Sequence, residues 1–142
     1  MLKNPLLPGG FFYEVLLYFY TMNFRLPKHE KLKSRKTIEA LFLEGKSLTK
    51  FPVKVFYLPL ENLETFQAAF AVPKRNFKSA VTRNRIKRQL RETYRLQKEV
   101  LRANNGPKFA LLFLYISKDK PQYVTLEASM RFLLKLLANE TI

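Results

Sequence analysis

The spacing of apolar residues along the chain predicts a short series of alternating helices and strands. After Ser34, the segment KTIEALFLEG places Ile38, Leu41 and Phe42 at intervals of three and four residues, and Gly45 follows as a stop signal. This spacing puts the three side chains on one face of a helix. The segment therefore predicts a short amphipathic helix that begins after Ser34.

Two segments after this helix have the composition of β-strands. Residues 51–60 (FPVKVFYLPL) are rich in β-branched and aromatic residues, and their alternation places Val53, Val55 and Tyr57 on one face. The polar turn ENLET separates this segment from a second apolar run, residues 66–72. Because the two runs are close in sequence, we expect them to pair as an antiparallel hairpin.

The second half of the chain predicts two more helices and one strand. Ser79 is a suitable N-cap for a long helix, which the pair Gly106-Pro107 would end. Residues 108–116 form a nearly continuous apolar run, which is typical of a strand covered on both faces. Residues 121–138 then show a helical pattern with a wide apolar face. The order helix, strand, strand, helix, strand, helix indicates a small α+β sandwich in one domain.

The charge of the chain makes a nucleic-acid partner the leading hypothesis. The 142 residues include 26 Lys and Arg against 11 Asp and Glu, which gives a net charge of +15. Such an excess repels itself unless a polyanion is the partner. A hydrophobic fraction of 47% argues against a disordered basic tail. The lack of cysteine and the single histidine, His29, exclude disulfides, thiolate metal sites and histidine-based triads.

The amino-terminal residues differ from the rest of the chain. Lys3 and Glu14 are the only charges in residues 1–21, so the whole excess of +15 lies in residues 22–142. The apolar run that ends at Met22 is interrupted and is shorter than the roughly 20 residues of a membrane-spanning helix, so we expect no membrane partner. We interpret residues 1–21 as a disordered or loosely packed extension, or as the product of an upstream start codon.

Cations are concentrated on the helix predicted after Ser79. Its apolar side holds Ile86, Leu90, Tyr94, Gln97 and Leu101, and its other side holds Asn84, Lys87, Arg88, Arg91, Arg95 and Lys98. Side chains three or four residues apart on a helix lie about 5–6 Å apart, a spacing that suits phosphates. A basic face is often only solvated, but here few acidic residues balance it and the cations crowd at the positive end of the helix dipole. This pattern favours an anionic partner.

The residues of this helix resemble a known family. The string AVPKRNFKSAVTRNRIKRQLRETYR, above all its part RNRIKRQLRE, is similar to the signature of the protein subunit of bacterial ribonuclease P. KLKSRKTIEALFLEGKSL upstream fits the opening helix of that family, so the resemblance covers residues 31–137. It implies an αβββαβα fold in residues 22–142, with a left-handed β-α-β crossover through the basic helix, opposite to the usual hand.

The resemblance also implies a function and a set of contacts. In this family the RNA subunit is the catalyst: it uses Mg²⁺ to hydrolyse the phosphodiester at the 5′ end of mature tRNA. The chain is therefore expected to be a cytoplasmic endoribonuclease subunit with no catalytic residue or metal ligand of its own, and with ribonuclease P RNA and precursor tRNA as partners. The implied contacts with the catalytic RNA are Lys74, Arg75, Arg83, Asn84, Arg85, Lys87, Arg88 and Arg91. The implied cleft for the single-stranded 5′ leader is formed by Phe42, Lys54 and Phe56, with Lys31 and Lys33 near its mouth.

Two questions stay open at the level of the residues. Phe42 lies on the apolar stripe of its helix and fits a core residue and a cleft residue equally well, whereas Ile38 stands where the family resemblance implies an aromatic residue. A general RNA-binding module, such as a ribosomal protein or an RNA chaperone, would use the same basic helix without a leader cleft. The string RNRIKR favours the ribonuclease P subunit over this alternative.

Overall fold

A computed structural model of the chain describes residues 26–61, 63–103, 106 and 108–139. The interpretation of residues 1–21 as an extension falls outside these residues. The helices and strands, in chain order, are α1 (Arg35–Glu44), β1 (Lys46–Lys50), β2 (Val53–Leu60), β3 (Gln67–Ala71), α2 (Ala80–Gln97), β4 (Lys108–Tyr115) and α3 (Tyr123–Ala138). This order confirms the αβββαβα arrangement.

The helix boundaries follow from the capping residues that the sequence offers. The hydroxyl of Ser34 accepts a hydrogen bond from the Thr37 N–H at the start of α1, and the hydroxyl of Ser79 does the same for Thr82 at the start of α2, each at 3.3 Å. Such caps contribute about 1 kcal/mol each. α1 ends at Gly45, where a Cβ atom would collide with the carbonyl oxygen of Leu41. The predicted starts of both helices and the end of α1 are confirmed.

The sheet has four strands in the order β1-β2-β4-β3. β1 pairs antiparallel with β2, β2 pairs antiparallel with β4, and β3 pairs parallel with β4. The predicted hairpin between residues 51–60 and 66–72 is therefore wrong, because β4 lies between these strands. β4 is apolar along almost its whole length and is buried on both faces, so it takes a central position with a partner on each side.

The two faces of the sheet carry different layers. Val53, Val55 and Tyr57 of β2 point into the main core, which α2 and α3 cover with apolar side chains such as Leu90 and Met130. The opposite face is covered by α1, whose Leu41 is fully buried. The predicted alternation of β2 is thus confirmed, and the two helical layers lie on opposite sides of one sheet.

α2 connects the parallel strands β3 and β4 and so forms the expected β-α-β crossover. The left hand of this crossover stays a prediction. The long helix predicted to end at Gly106-Pro107 is α-helical only to Gln97 and continues as a 3₁₀ helix over Lys98–Ala103. Ile86, Leu90 and Tyr94 are buried against the sheet, as their spacing predicted.

Candidate nucleic-acid interface

The basic side of α2 faces away from the sheet because its apolar side is buried in the main core. Asn84, Arg85, Arg88 and Arg91 are exposed along this side, and Lys87 is half-buried. We call these five residues the basic face of α2. Successive arginines at positions 85, 88 and 91 are three residues apart, which sets their side chains about 5–6 Å from one another. The dipole of α2 adds positive potential at its amino-terminal end.

A loop before α2 extends this positive surface. Lys74 and Arg75 are exposed in a turn that is closed by a hydrogen bond of 3.3 Å from the Asn76 N–H to the Pro73 carbonyl. The loop leads directly into the N-cap of α2 at Ser79. The structure therefore places these two cations beside the amino-terminal end of α2.

Arg83 is held differently from the other arginines of the motif. Its Nη1 donates hydrogen bonds to the carbonyl oxygens of Phe77 and Lys78, both at 2.9 Å. These bonds tie the first turn of α2 to the loop before it. Arg83 thus orders the loop and the helix start, in addition to any contact that it makes with a partner.

Two cations assigned to the basic side of α2 by helical periodicity do not belong to its exposed surface. Arg95 is 8% exposed and pairs with Glu92, and burial lowers the pKa of its guanidinium. The Nζ of Lys98 lies 2.6 Å from a carboxylate oxygen of Glu30. The prediction was wrong at these positions because α3 and the 3₁₀ turn Lys28–Glu30 pack around the carboxyl-terminal end of α2.

Phe42, Lys54 and Phe56 come together on the other face of the sheet, and we call them the aromatic cleft. The ring centroids of Phe42 and Phe56 are 5.1 Å apart with an interplanar angle of 57°, and the Nζ of Lys54 lies 5.1 Å from the Phe56 centroid. The Phe42 side chain is 57% exposed, so it is not a core residue. The half-buried Ile38 packs in the cluster beneath α1 together with Phe56.

Lys31 and Lys33 lie elsewhere, at the outer edge of β3. The Leu32 N–H donates a hydrogen bond of 2.9 Å to the Ala68 carbonyl, which fixes the backbone of this segment to the strand edge. Both lysines line a cavity of about 350 Å³ together with Phe70 and Arg91. Two strand spacings, about 10 Å, separate β3 from β2, which carries Lys54 and Phe56. The structure therefore does not bring these lysines beside the aromatic cleft.

Sequence reasoning missed Phe70, an aromatic residue of β3 that positions one of the arginines of the basic face. The guanidinium of Arg91 lies over the ring of Phe70 at 5.9 Å, and this ring is stacked on Phe113 at 5.6 Å. The alternation of β3 could have revealed the contact, since Phe70 and Ala68 lie on the face that α2 covers. A cation–π contact of this kind restricts Arg91 to the edge of β3.

Among the described residues there is no group of three or more histidine, cysteine, aspartate or glutamate residues that could hold a metal ion. No helix in the same part of the chain is long and apolar enough to cross a membrane. Exposed guanidiniums and aromatic rings, which this surface does carry, are groups that bind phosphates and bases in other proteins.

Comparisons with known proteins agree with this geometry. The sequence model of the Ribonuclease P family matches residues 26–138. The ribonuclease P protein component of Porphyromonas gingivalis is 34% identical over 113 residues, which cover 76% of this chain and 82% of that protein. The component from Chlorobium phaeobacteroides is 42% identical over 81 residues, which cover 54% of this chain and 56% of that protein.

Solved structures show the same fold. The ribonuclease P protein from Thermotoga maritima superposes with a TM-score of 0.63 at 24% identity and covers 75% of this chain and 96% of its own. The protein from Staphylococcus aureus gives a TM-score of 0.63 at 19% identity, with 75% and 94% of the two chains covered. The mixed α+β architecture is thus that of known ribonuclease P proteins.

Proposed function

Since the chain belongs to the family of the protein component of bacterial ribonuclease P, we propose that it binds the catalytic RNA through α2 and the 5′ leader of precursor tRNA through the aromatic cleft. The family role is the maturation of tRNA 5′ ends, and the chain is a subunit of that endoribonuclease. The observation that supports the proposal is that a row of exposed cations and a pair of aromatic rings lie on opposite faces of one sheet.

The basic face of α2 suits a structured RNA. Arg85, Arg88 and Arg91 form a row of guanidiniums on a helix whose other side is fixed in the core, so the backbone that carries the row is already ordered. Phosphate binding there orders the arginine side chains but costs little backbone entropy. Lys74 and Arg75 extend the row before the helix, and Asn84 adds a polar group that donates and accepts hydrogen bonds.

The aromatic cleft suits a single strand. Unpaired bases stack on aromatic rings, and each stacked base contributes about 1 to 3 kcal/mol. The exposed ring of Phe42 offers such a surface, and Phe56 supports it from below at 5.1 Å. Lys54 places a cation beside the rings, where a phosphate of the same strand would lie.

We propose that the RNA subunit carries out the cleavage chemistry and holds most of the Mg²⁺. This chain contributes binding and charge: its cations offset the repulsion between the phosphates of the catalytic RNA and those of the substrate. No step of the hydrolysis is assigned to a side chain of this protein. We place the assembly in the cytoplasm, as expected for a bacterial ribonuclease P component.

The division into two surfaces is tested by Phe42→Ala. We expect the reconstituted holoenzyme to bind leader-bearing precursor tRNA more weakly, by about 1 to 3 kcal/mol, because the exposed stacking surface is lost. Binding of tRNA without a leader should not change.

Leu43→Ala is the matched control, because Leu43 is the next residue on α1 and its side chain is 84% exposed. It should leave both affinities at the wild-type value. Equal losses for leader-bearing and leaderless tRNA in Phe42→Ala would refute the cleft and favour a general RNA-binding module.

A further inference from the structure

We propose that Lys31 and Lys33 act with Arg88 and Arg91 in one phosphate-binding groove, and that this groove holds the catalytic RNA and not the 5′ leader. The inference rests on the proposed function above and assigns part of the surface to a specific partner. It differs from the assignment that the family resemblance implied, which put both lysines at the mouth of the leader cleft.

The groove consists of two adjoining cavities. The first, of about 350 Å³, lies at the edge of β3, and the second, of about 600 Å³, lies between α2 and the start of α3 at Tyr123. Leu26, Lys31 and Arg91 line both cavities. The surface is therefore continuous from the outer edge of the sheet across α2, which is a shape that accepts an extended strand or the backbone of a helix.

The charge of the groove is strongly positive. Lys31, Lys33, Arg88 and Arg91 are all exposed at its walls. The one carboxylate among the lining residues of the two cavities, Glu92, accepts a charge-assisted hydrogen bond from Arg95, which neutralises it locally. The four exposed cations thus face the groove, and the one acid in its lining is already paired with Arg95, so a positive excess remains that favours phosphates.

Local packing positions these cations. The bond from the Leu32 N–H to Ala68 holds the backbone at the strand edge, and Leu32 is buried in the α1 layer. Residues on either side of Leu32 point away from that layer because side chains alternate in extended backbone. On the opposite wall, the contact with Phe70 holds Arg91 at 5.9 Å over the ring. On both walls of the groove, the backbone that carries the cations is therefore fixed in place.

The position of the groove indicates that it binds the catalytic RNA. Arg88 and Arg91 lie on the same helix side as Asn84 and Arg85, so the groove continues the basic face of α2 without a break. The aromatic cleft lies on the other face of the sheet, beneath α1. A partner that covers the basic face of α2 therefore reaches Lys31 and Lys33 directly, whereas a strand stacked on Phe42 would have to continue across the sheet to its outer edge to reach them.

The test compares two double variants of equal charge. In Lys31→Ala/Lys33→Ala, the affinity for ribonuclease P RNA should fall, and the slope of log affinity against log salt should decrease by roughly 1.4 to 1.8, for two lost phosphate contacts. In a holoenzyme assembled at saturating protein, the ratio of the affinity for leader-bearing precursor tRNA to the affinity for leaderless tRNA should remain at its wild-type value.

Lys118→Ala/Lys120→Ala serves as the control, because it removes two exposed cations from the loop after β4. It should change the slope for ribonuclease P RNA by much less. Two results for Lys31→Ala/Lys33→Ala would overturn the inference. One is a loss of affinity confined to leader-bearing precursor tRNA, and the other is a salt slope for ribonuclease P RNA equal to that of the control. If the wild-type chain itself failed to bind ribonuclease P RNA, the proposed function would fall, and the groove assignment with it.

Discussion

Arg83 and Arg85 belong to the same motif, yet the structure predicts that only one of them stabilises the fold. Arg83 joins the first turn of α2 to the preceding loop through bonds of 2.9 Å to the carbonyls of Phe77 and Lys78. Arg85 is exposed on the basic face of α2. Arg83→Ala should therefore lower the stability of the fold, whereas Arg85→Ala should lower only the affinity for RNA.

The magnitude follows from the two hydrogen bonds. A bond from a charged donor contributes about 1.5 to 3 kcal/mol when its partners are buried. The Phe77 carbonyl is only partly buried and the Lys78 carbonyl is exposed, so solvent competes for both. We therefore expect Arg83→Ala to reduce the free energy of unfolding by about 1 to 3 kcal/mol in total. For Arg85→Ala we expect a change within about 0.5 kcal/mol, as for most surface substitutions.

Urea denaturation of the isolated protein measures this difference. Arg83→Ala should shift the midpoint to lower urea without changing the slope of the transition, because the surface exposed on unfolding stays the same. Binding to ribonuclease P RNA at low salt should be weakened in both variants. Equal stability of the two variants would refute the structural role of Arg83 and leave it as one more phosphate contact.

Two further predictions concern the basic face of α2 and the core beneath it. Arg85→Ala combined with Arg88→Ala should lower the slope of log affinity against log salt by roughly 1.4 to 1.8 for the catalytic RNA, and an unchanged slope would rule out these arginines as phosphate contacts. Burial raises the pKa of Tyr94 well above its usual value of about 10, with a smaller contribution from Glu30. The free energy of unfolding is therefore not reduced by Tyr94 below pH 10. It falls as the pH rises from 10 toward the folded-state pKa, because only the unfolded chain ionises Tyr94 in that interval. Tyrosinate absorbance followed together with circular dichroism should show Tyr94 ionising only as the fold is lost; ionisation in the folded protein near pH 10 would contradict this burial.

Local signals in the sequence were sufficient to predict most of the elements. Ser34 and Ser79 cap their helices through contacts with residues three positions away, and the alternation of β2 depends only on neighbours in the same strand. The residue pattern did not predict β1, because Leu48 is its only apolar residue. An edge strand that is exposed at most of its positions does not need further apolar residues. The family resemblance, however, implied the third strand.

Long-range packing accounts for the errors. Residues 51–60 and 66–72 are close in sequence, but the greater apolar surface of β4 displaces their pairing. Helical periodicity put Arg95 and Lys98 on the cationic side, since it contains no information about Glu30 or α3. Phe42 could not be assigned to core or surface from its spacing, because its exposure depends on how far α1 covers the sheet.

We propose that this chain supports RNA-based cleavage at the 5′ end of tRNA. The most direct measurement adds the protein to a bacterial ribonuclease P RNA and a leader-bearing precursor tRNA at a low Mg²⁺ concentration at which the RNA alone is inactive. We predict that cleavage at the junction of leader and mature tRNA is restored, because the cations of the protein replace Mg²⁺ in offsetting phosphate repulsion. Absence of cleavage at every protein concentration, with an RNA that is active alone at high Mg²⁺, would show that the chain does not support this reaction.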